Sequence, residues 1–157
     1  MPDVLVVEDD ILIADLLQGA LEAEGYHVSG LARTIAEAKE SAELHPPDFA
    51  IIDIRLANGD CGTEFGAYLR STTPSLGIVY STGNSSDWEL TRLDGDAVMT
   101  KPYPLRDIAR GLEIITELRR LGRTHLRLPR NFRLLDQPAS AGNFDQREIA
   151  TSAASAP

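Results

Sequence analysis

Two short apolar runs in this chain end on carboxylates, and that repeated junction limits what the chain can fold into. Residues 3–7, DVLVV, stop at Glu8-Asp9-Asp10, and residues 49–53, FAIID, end on Asp53 itself. Four consecutive apolar residues suit a strand buried on both faces, the strand type of parallel sheets. The acid marks where each strand leaves the core for a polar loop.

Between and after these runs the apolar spacing becomes helical. Ile13, Leu16, Leu17, Ala20 and Leu21 recur on one helix face that Gly25 closes. YHVSGLA reads as a second strand, and Thr34 followed by Glu37 forms a capping box for a helix running toward Pro46 and Pro47. After Asp53 a glycine-containing loop leads to a helix from near Gly62 to about Ser71. LGIVYST gives a fourth strand, Ser86 with Glu89 caps a short helix through Leu93, and DAVMT gives a fifth strand. Pro104 then opens a last helix, with Leu105, Ile108, Leu112 and Ile115 on one side, that reaches about Leu121.

Five consecutive βα units imply a doubly wound parallel sheet with helices on both faces. In such sheets functional groups gather at the C-terminal ends of the strands. Residues 1–121 are therefore expected to form one domain. Residues 122–157 lack comparable periodicity and are expected to be a basic arm followed by a small, polar, disordered tail, ATSAASAP.

Charge divides the chain at the same place. Residues 1–118 hold 8 Lys/Arg against 21 Asp/Glu, whereas residues 119–157 hold 7 against 3. So acidic a globular part does not suit a phosphate backbone but does suit a divalent cation. No helix-turn-helix pattern fits into the remaining residues, so nucleic-acid binding is not expected. The arm RRLGRTHLRLPRNFRLL, with six arginines, is either a solvated tail or an element that pairs with an acidic neighbour in a symmetric dimer.

Cys61 is the single cysteine, and His27, His45 and His125 are far apart, so neither a disulfide nor a zinc site is expected. The start MPDVLVV has no basic and apolar leader pattern, and no apolar stretch approaches the roughly 20 residues of a membrane helix. A cytoplasmic protein without membrane contact is the expectation.

The chemistry lies at the strand ends. Glu8, Asp9 and Asp53 would meet at neighbouring ends, where three like charges repel unless a cation shares them. Oxygen ligands of this kind suit Mg²⁺, which also binds phosphate oxygens. Thr82 ends the fourth strand and Lys101 the fifth, adding a hydroxyl and a cation to the same rim. A nucleophile, a metal and donors for equatorial oxygens make up the set that phosphoryl transfer requires. Asp53 is the natural nucleophile, yielding an acyl phosphate. Taken singly each residue has a blander fate: a solvated acidic loop that favours the next helix, a polar strand terminus, a turn hydroxyl, an exposed lysine. Their coincidence on one rim favours the chemical reading.

The segments VLVVEDD, IIDIRL, IVYSTG and MTKPY, in this order, resemble the signature segments of the response-regulator receiver domain over residues 1 to about 121. The resemblance implies a flavodoxin-like (βα)5 fold with strand order 2-1-3-4-5. It implies that Asp53 is phosphorylated and that Glu8 and Asp9 hold Mg²⁺ directly or through water. The backbone carbonyl of Arg55 would complete the metal site, with Thr82 and Lys101 contacting the phosphoryl group. The Lys101-Pro102 bond would be cis, and phosphorylation would remodel the face made by the fourth and fifth βα units, a surface that could also pair two copies. The partners implied are a sensor histidine kinase or phosphotransfer protein upstream and a protein target downstream.

Departures from the family pattern are visible too. Val98 stands where Tyr or Phe often rotates inward, the loop RLANGDCG lacks a frequent proline and is one residue longer, and Gly83 replaces a common alanine. The Arg55 side chain, close to the acceptor, is expected to influence phosphoryl lifetime. Two alternatives are a phosphate-independent module that has lost the switch, and an aspartyl-nucleophile phosphatase. The phosphatase would carry a second acid two residues after Asp53, where Arg55 stands. A nucleotide or flavin binder would need a Gly-rich loop after the first strand, which is absent.

Overall fold

The structure is a computed structural model that describes residues 1–83 and 89–135. Its strands and helices, in chain order, are β1 Asp3–Val7, α1 Ile11–Ala23, β2 His27–Ala32, α2 Ile35–Leu44, β3 Phe49–Asp53, α3 Gly62–Thr72, β4 Gly77–Thr82, β5 Ala97–Thr100, α4 Arg106–Leu121 and β6 Phe132–Leu134. The sheet order is β2-β1-β3-β4-β5-β6, with the first five strands parallel, as expected, and β6 antiparallel to β5.

Alternation along the strands builds two cores. Val4, Val6, Ile51, Val79, Ala97 and Met99 face α1 and α4, where they meet Leu17, Leu21, Ile108, Leu112 and Ile115. Leu5, Val7, Ala50, Ile52, Ile78, Tyr80 and Val98 face the other way, toward Ala38 of α2 and Phe65 and Leu69 of α3. Every residue of β3 and β4 is buried, which explains their apolar character up to the polar residues at their C-terminal ends.

The helix signals hold with local corrections. Thr34 caps α2, its hydroxyl accepting from the Glu37 amide at 3.2 Å, while the Glu37 carboxylate accepts from the Arg33 amide at 2.8 Å. On α1, Leu17 and Leu21 are buried with Ala14, but Leu16 is 52% exposed beside Ile11 and Leu12. Successive helical residues lie about 100° apart, so Leu16 falls off the line that Ala14, Leu17 and Leu21 share. The last helix begins at Arg106 with Leu105 as its cap, two residues later than Pro104 suggested.

Two larger differences concern the distal half. Ser86 and Trp88 lie outside the described residues, and the described part of the expected fourth helix, Glu89–Leu93, is not helical. It leads into a turn in which the Asp94 carboxylate accepts from the Thr91 amide at 2.8 Å. Among the described residues there are therefore four α-helices, not five. The second difference is β6. Residues placed in an unpatterned arm form a sixth strand, with Phe132 and Leu134 in the α1/α4 core and Leu135 in the opposite one. The apolar–Arg–apolar alternation of Phe132-Arg133-Leu134 is too short to stand out in sequence, and an unpaired β5 edge supplies its partner. Among the described residues no helix is long and apolar enough to cross a membrane.

Candidate functional site

The acidic triplet after β1 is divided between two tasks. Asp10 caps α1, its Oδ1 accepting from the amides of Leu12 at 3.0 Å and Ile13 at 3.3 Å. Glu8 and Asp9 are left to face the sheet's C-terminal edge. Glu8 is 3% exposed and Asp53 8%. Carboxylate oxygens of Glu8, Asp9 and Asp53 all lie within 4.8 Å of one another. Parallel pairing of β1 with β3, Val7 opposite Ile52, brings these ends level.

Lys101 answers this charge from the end of β5. Its Nζ donates to Asp53 Oδ2 at 2.8 Å and lies 3.6 Å from Glu8 Oε2. The other oxygen, Asp53 Oδ1, accepts from the Arg55 amide at 3.0 Å. The Lys101 amide donates to the Thr82 carbonyl at 2.8 Å, and Thr82 is 4% exposed at the end of β4. The Lys101-Pro102 peptide is cis. The structure thus brings Glu8, Asp9, Asp53, Thr82 and Lys101 to one rim, with Arg55 contributing its main chain and holding its side chain exposed.

The loop RLANGDCG fits by folding back on the strand end. Asn58 and Gly59 take positive φ in a short 3-10 turn over Ala57–Gly59, and Arg55 bridges Cys61 across it. Gly62 then passes so close to β3 that a Cβ there would lie 2.1 Å from the Asp53 carbonyl oxygen. Glycine is required by the approach, and the Gly62 amide donates to the Ile54 carbonyl at 2.7 Å.

Burial pushes the Glu8 carboxyl up to about 8, reinforced by its hydrogen bond to Asp53 and by the Asp53 charge. Burial opposes the Lys101 charge, but the hydrogen bond to Asp53 and the charges of Asp53 and Glu8 outweigh it, so its pKa stands above the ordinary lysine value. One ammonium does not balance three clustered carboxylates, and the raised Glu8 pKa favours a proton there that takes up part of the excess. A divalent cation bound by the same oxygens would offset all of it.

Three neighbours of the site were not evident from sequence. The Tyr103 hydroxyl and Ser81 Oγ are 2.9 Å apart, and Ser81 pairs directly with Asp53 across β3 and β4. Asn131 accepts from the Thr100 amide through its carbonyl at 2.9 Å and donates from Nδ2 to the Pro102 carbonyl at 2.6 Å. Pro129 followed by an alternating triplet was the only signal for this last contact.

A parallel sheet in the order 2-1-3-4-5, with acids, a hydroxyl and a lysine converging at its C-terminal edge, defines a class of doubly wound α/β module whose strand ends carry an acidic cluster where a dinucleotide binder has a glycine-rich loop. The family is then plain: residues 4–113 match the response regulator receiver domain, and the chain belongs to that family. It is 31% identical over 113 residues to the transcriptional regulatory protein PdtaR of Mycobacterium tuberculosis, covering 71% of this chain and 55% of that protein. It is 32% identical over 116 residues to the KDP operon transcriptional regulatory protein KdpE of Escherichia coli, covering 73% and 51%. The chain spans about half the length of these curated relatives. Among solved structures it resembles a CheY-like receiver domain protein from Methanospirillum hungatei, with 31% identity, a TM-score of 0.63, and 74% of this chain and 92% of that one covered. The receiver domain of a modulated diguanylate cyclase from Desulfovibrio desulfuricans aligns with a TM-score of 0.66 and 29% identity, covering 78% and 98%.

Proposed function

We propose that this chain is a phospho-receiver in which Asp53 accepts a phosphoryl group from a histidine kinase or phosphotransfer protein, in a Mg²⁺-dependent reaction, and signals by protein contact. The observation that carries this reading is the convergence of Glu8, Asp9 and Asp53 within 4.8 Å, with Lys101 2.8 Å from Asp53. The donor set fits Mg²⁺: it is all oxygen and carries more negative charge than Lys101 offsets. Glu8, Asp9 and Asp53 would hold the ion, with the Arg55 backbone carbonyl completing the set. Bound there, it would supply positive charge to the phosphoryl oxygens.

The chain's own residues do the rest. The Arg55 amide and Lys101 fix the two oxygens of Asp53, so the carboxylate meets the incoming phosphorus in one orientation. A carboxylate oxygen forms the new P–O bond as the bond from phosphorus to the donor breaks, and the leaving group takes the electron pair. Lys101 and Thr82 then face the charge on the transferred group. The receiver unit, in this reading, extends through β6 to Leu135, because Phe132, Leu134 and Leu135 are core residues.

The test is to expose the full chain to Mg²⁺ and acetyl phosphate and follow covalent labelling by intact mass. Native protein should gain one phosphoryl group and Asp53→Ala none. Equal labelling of the variant would remove Asp53 from the role, and an unlabelled native chain would favour a phosphate-independent module.

A further inference from the structure

Beyond the receiver core, the segment after α4 returns to the site. Leu126 and Leu128 pack on the α1/α4 core, and β6 pairs with β5 so that Met99 lies opposite Phe132 and Ala97 opposite Leu134. This docking is built into α4. A Cβ on Gly111 would lie 2.7 Å from the Phe132 ring, so a glycine at mid-helix, a poor helix former, opens the space that Phe132 fills.

One residue further toward the strand ends, Asn131 grips the main chain on both sides of Lys101. Its carbonyl accepts from the Thr100 amide at 2.9 Å, and its Nδ2 donates to the Pro102 carbonyl at 2.6 Å. A carbonyl oxygen can only accept, so the amide nitrogen is the group that faces it. With the Lys101 amide bonded to the Thr82 carbonyl at 2.8 Å, three successive residues are held at the base of the lysine. A lysine side chain is long and rich in rotamers, and where its Nζ falls relative to Asp53 Oδ2 depends on how firmly that base is fixed. Nothing in Asn131 touches the carboxylates, so its influence passes through Lys101.

We propose that Asn131 is a positioning residue for Lys101, and that through it the docking of β6 is coupled to phosphoryl transfer at Asp53. The proposal rests on the reading of Asp53 as the acceptor. Coupling is reciprocal: a state of the Asp53–Lys101 pair that shifts the main chain at Thr100–Pro102 loosens β6, and loss of β6 slackens Lys101. A three-residue strand at the sheet edge is suited to such a role, since edge elements open locally more readily than central strands.

The test measures Asp53 labelling by acetyl phosphate in the full chain at saturating Mg²⁺ and donor. Asn131→Ala and the near-isosteric Asn131→Asp both remove the donor to Pro102, and Asn131 is only partly buried, so both should fold. Labelling should slow about tenfold in each, short of the hundredfold that an ångström of misplacement can cost. Mg²⁺ affinity by calorimetry should stay native, because Lys101 is not among the metal's oxygens. On a Lys101→Ala background, Asn131→Ala should bring no further fall. Native labelling rates in both variants, an equal loss of Mg²⁺ affinity, or a second tenfold fall without Lys101 would each overturn the role of Asn131 while leaving Asp53 as acceptor. A native chain that takes no label overturns the acceptor reading itself, and this inference with it.

Discussion

Replacing Glu8 by glutamine should flatten the pH dependence of stability in metal-free protein. The Glu8 carboxyl is 3% exposed and its pKa is raised from 4.5 to about 8 by burial first, then by its hydrogen bond to Asp53 and the Asp53 charge. In the unfolded chain the same group returns to the ordinary glutamate range. Between the two pKa values the folded chain keeps a proton that the unfolded chain has lost, so stability falls as pH rises. The contribution is fully present below the unfolded value and is lost as pH climbs through about 8. One proton corresponds to about 1.4 kcal/mol per pH unit, so Glu8 should remove on the order of 3 kcal/mol between about pH 5.5 and about pH 7.5. Urea unfolding in EDTA, native against Glu8→Gln, reads the term directly, since every other titrating group is common to both. The native curve should fall relative to the variant by that amount over this range. Saturating Mg²⁺ should suppress the difference by favouring the ionised carboxylate. Parallel curves in EDTA would show that Glu8 is already ionised in the folded chain and that the site's charge is balanced in another way.

Other perturbations address the frame around the site. Asp96 accepts from the Ile78 amide at 2.8 Å and from Arg70 and Arg119 at 3.1 Å each, so Asp96→Ala should cost about 2 kcal/mol in chemical denaturation by leaving the Ile78 amide without its acceptor and removing the carboxylate that both guanidinium groups share. A loss under about 1 kcal/mol would mean that the two arginines find other partners. Phe132→Ala should cost about 3 kcal/mol and expose the amides of β5 to hydrogen exchange, whereas unchanged protection of Val98 would show that β6 docks without its anchor. Gly62→Ala should cost about 2 kcal/mol or more by overpacking and slow labelling of Asp53, because its Cβ would lie 2.1 Å from that residue's carbonyl oxygen. A variant with native stability and labelling would show that the loop can retreat at no cost.

The parallel core was legible because its signals are local. DVLVV, FAIID and LGIVYST announce buried strands by their apolar runs, and Thr34 with Glu37 marks the start of α2 by a hydrogen bond the structure contains. Where the outcome depended on a distant partner, sequence reasoning failed. β6 has three residues and acquires its identity from the open edge of β5, and Leu16 could not be told from Leu17 without knowing which way α1 rolls on the sheet. The fate of the basic segment is similar. Arg119 was read as part of a free arm or an intermolecular contact, yet it binds Asp96 and the Leu76 carbonyl of its own chain. Its complement lies 23 residues upstream, a separation that no periodicity reveals.

The site follows the same division. Glu8, Asp9, Asp53, Thr82 and Lys101 could be placed together because each terminates a strand, and a parallel sheet brings strand ends to one edge by topology alone. What topology does not supply is the sorting of like residues. Glu8-Asp9-Asp10 is one acidic run in the sequence, and only the geometry of α1 assigns Asp10 to the cap and leaves the other two for the cluster. Support from outside the strand ends was equally hidden. Ser81 and Tyr103 meet across 22 residues, and Asn131 reaches Pro102 across 29, so neither pair has a sequence spacing that carries meaning. Val98 ties this to the departures from the family pattern. Its small side chain is 1% exposed and shares a core with Tyr80 and with Leu135 beyond β6. The position that often holds a rotating aromatic is here packed under the chain's own C-terminal extension. In the coupling proposed above, the segment that the sequence had left without structure reaches Lys101 through its two neighbours, Thr100 and Pro102.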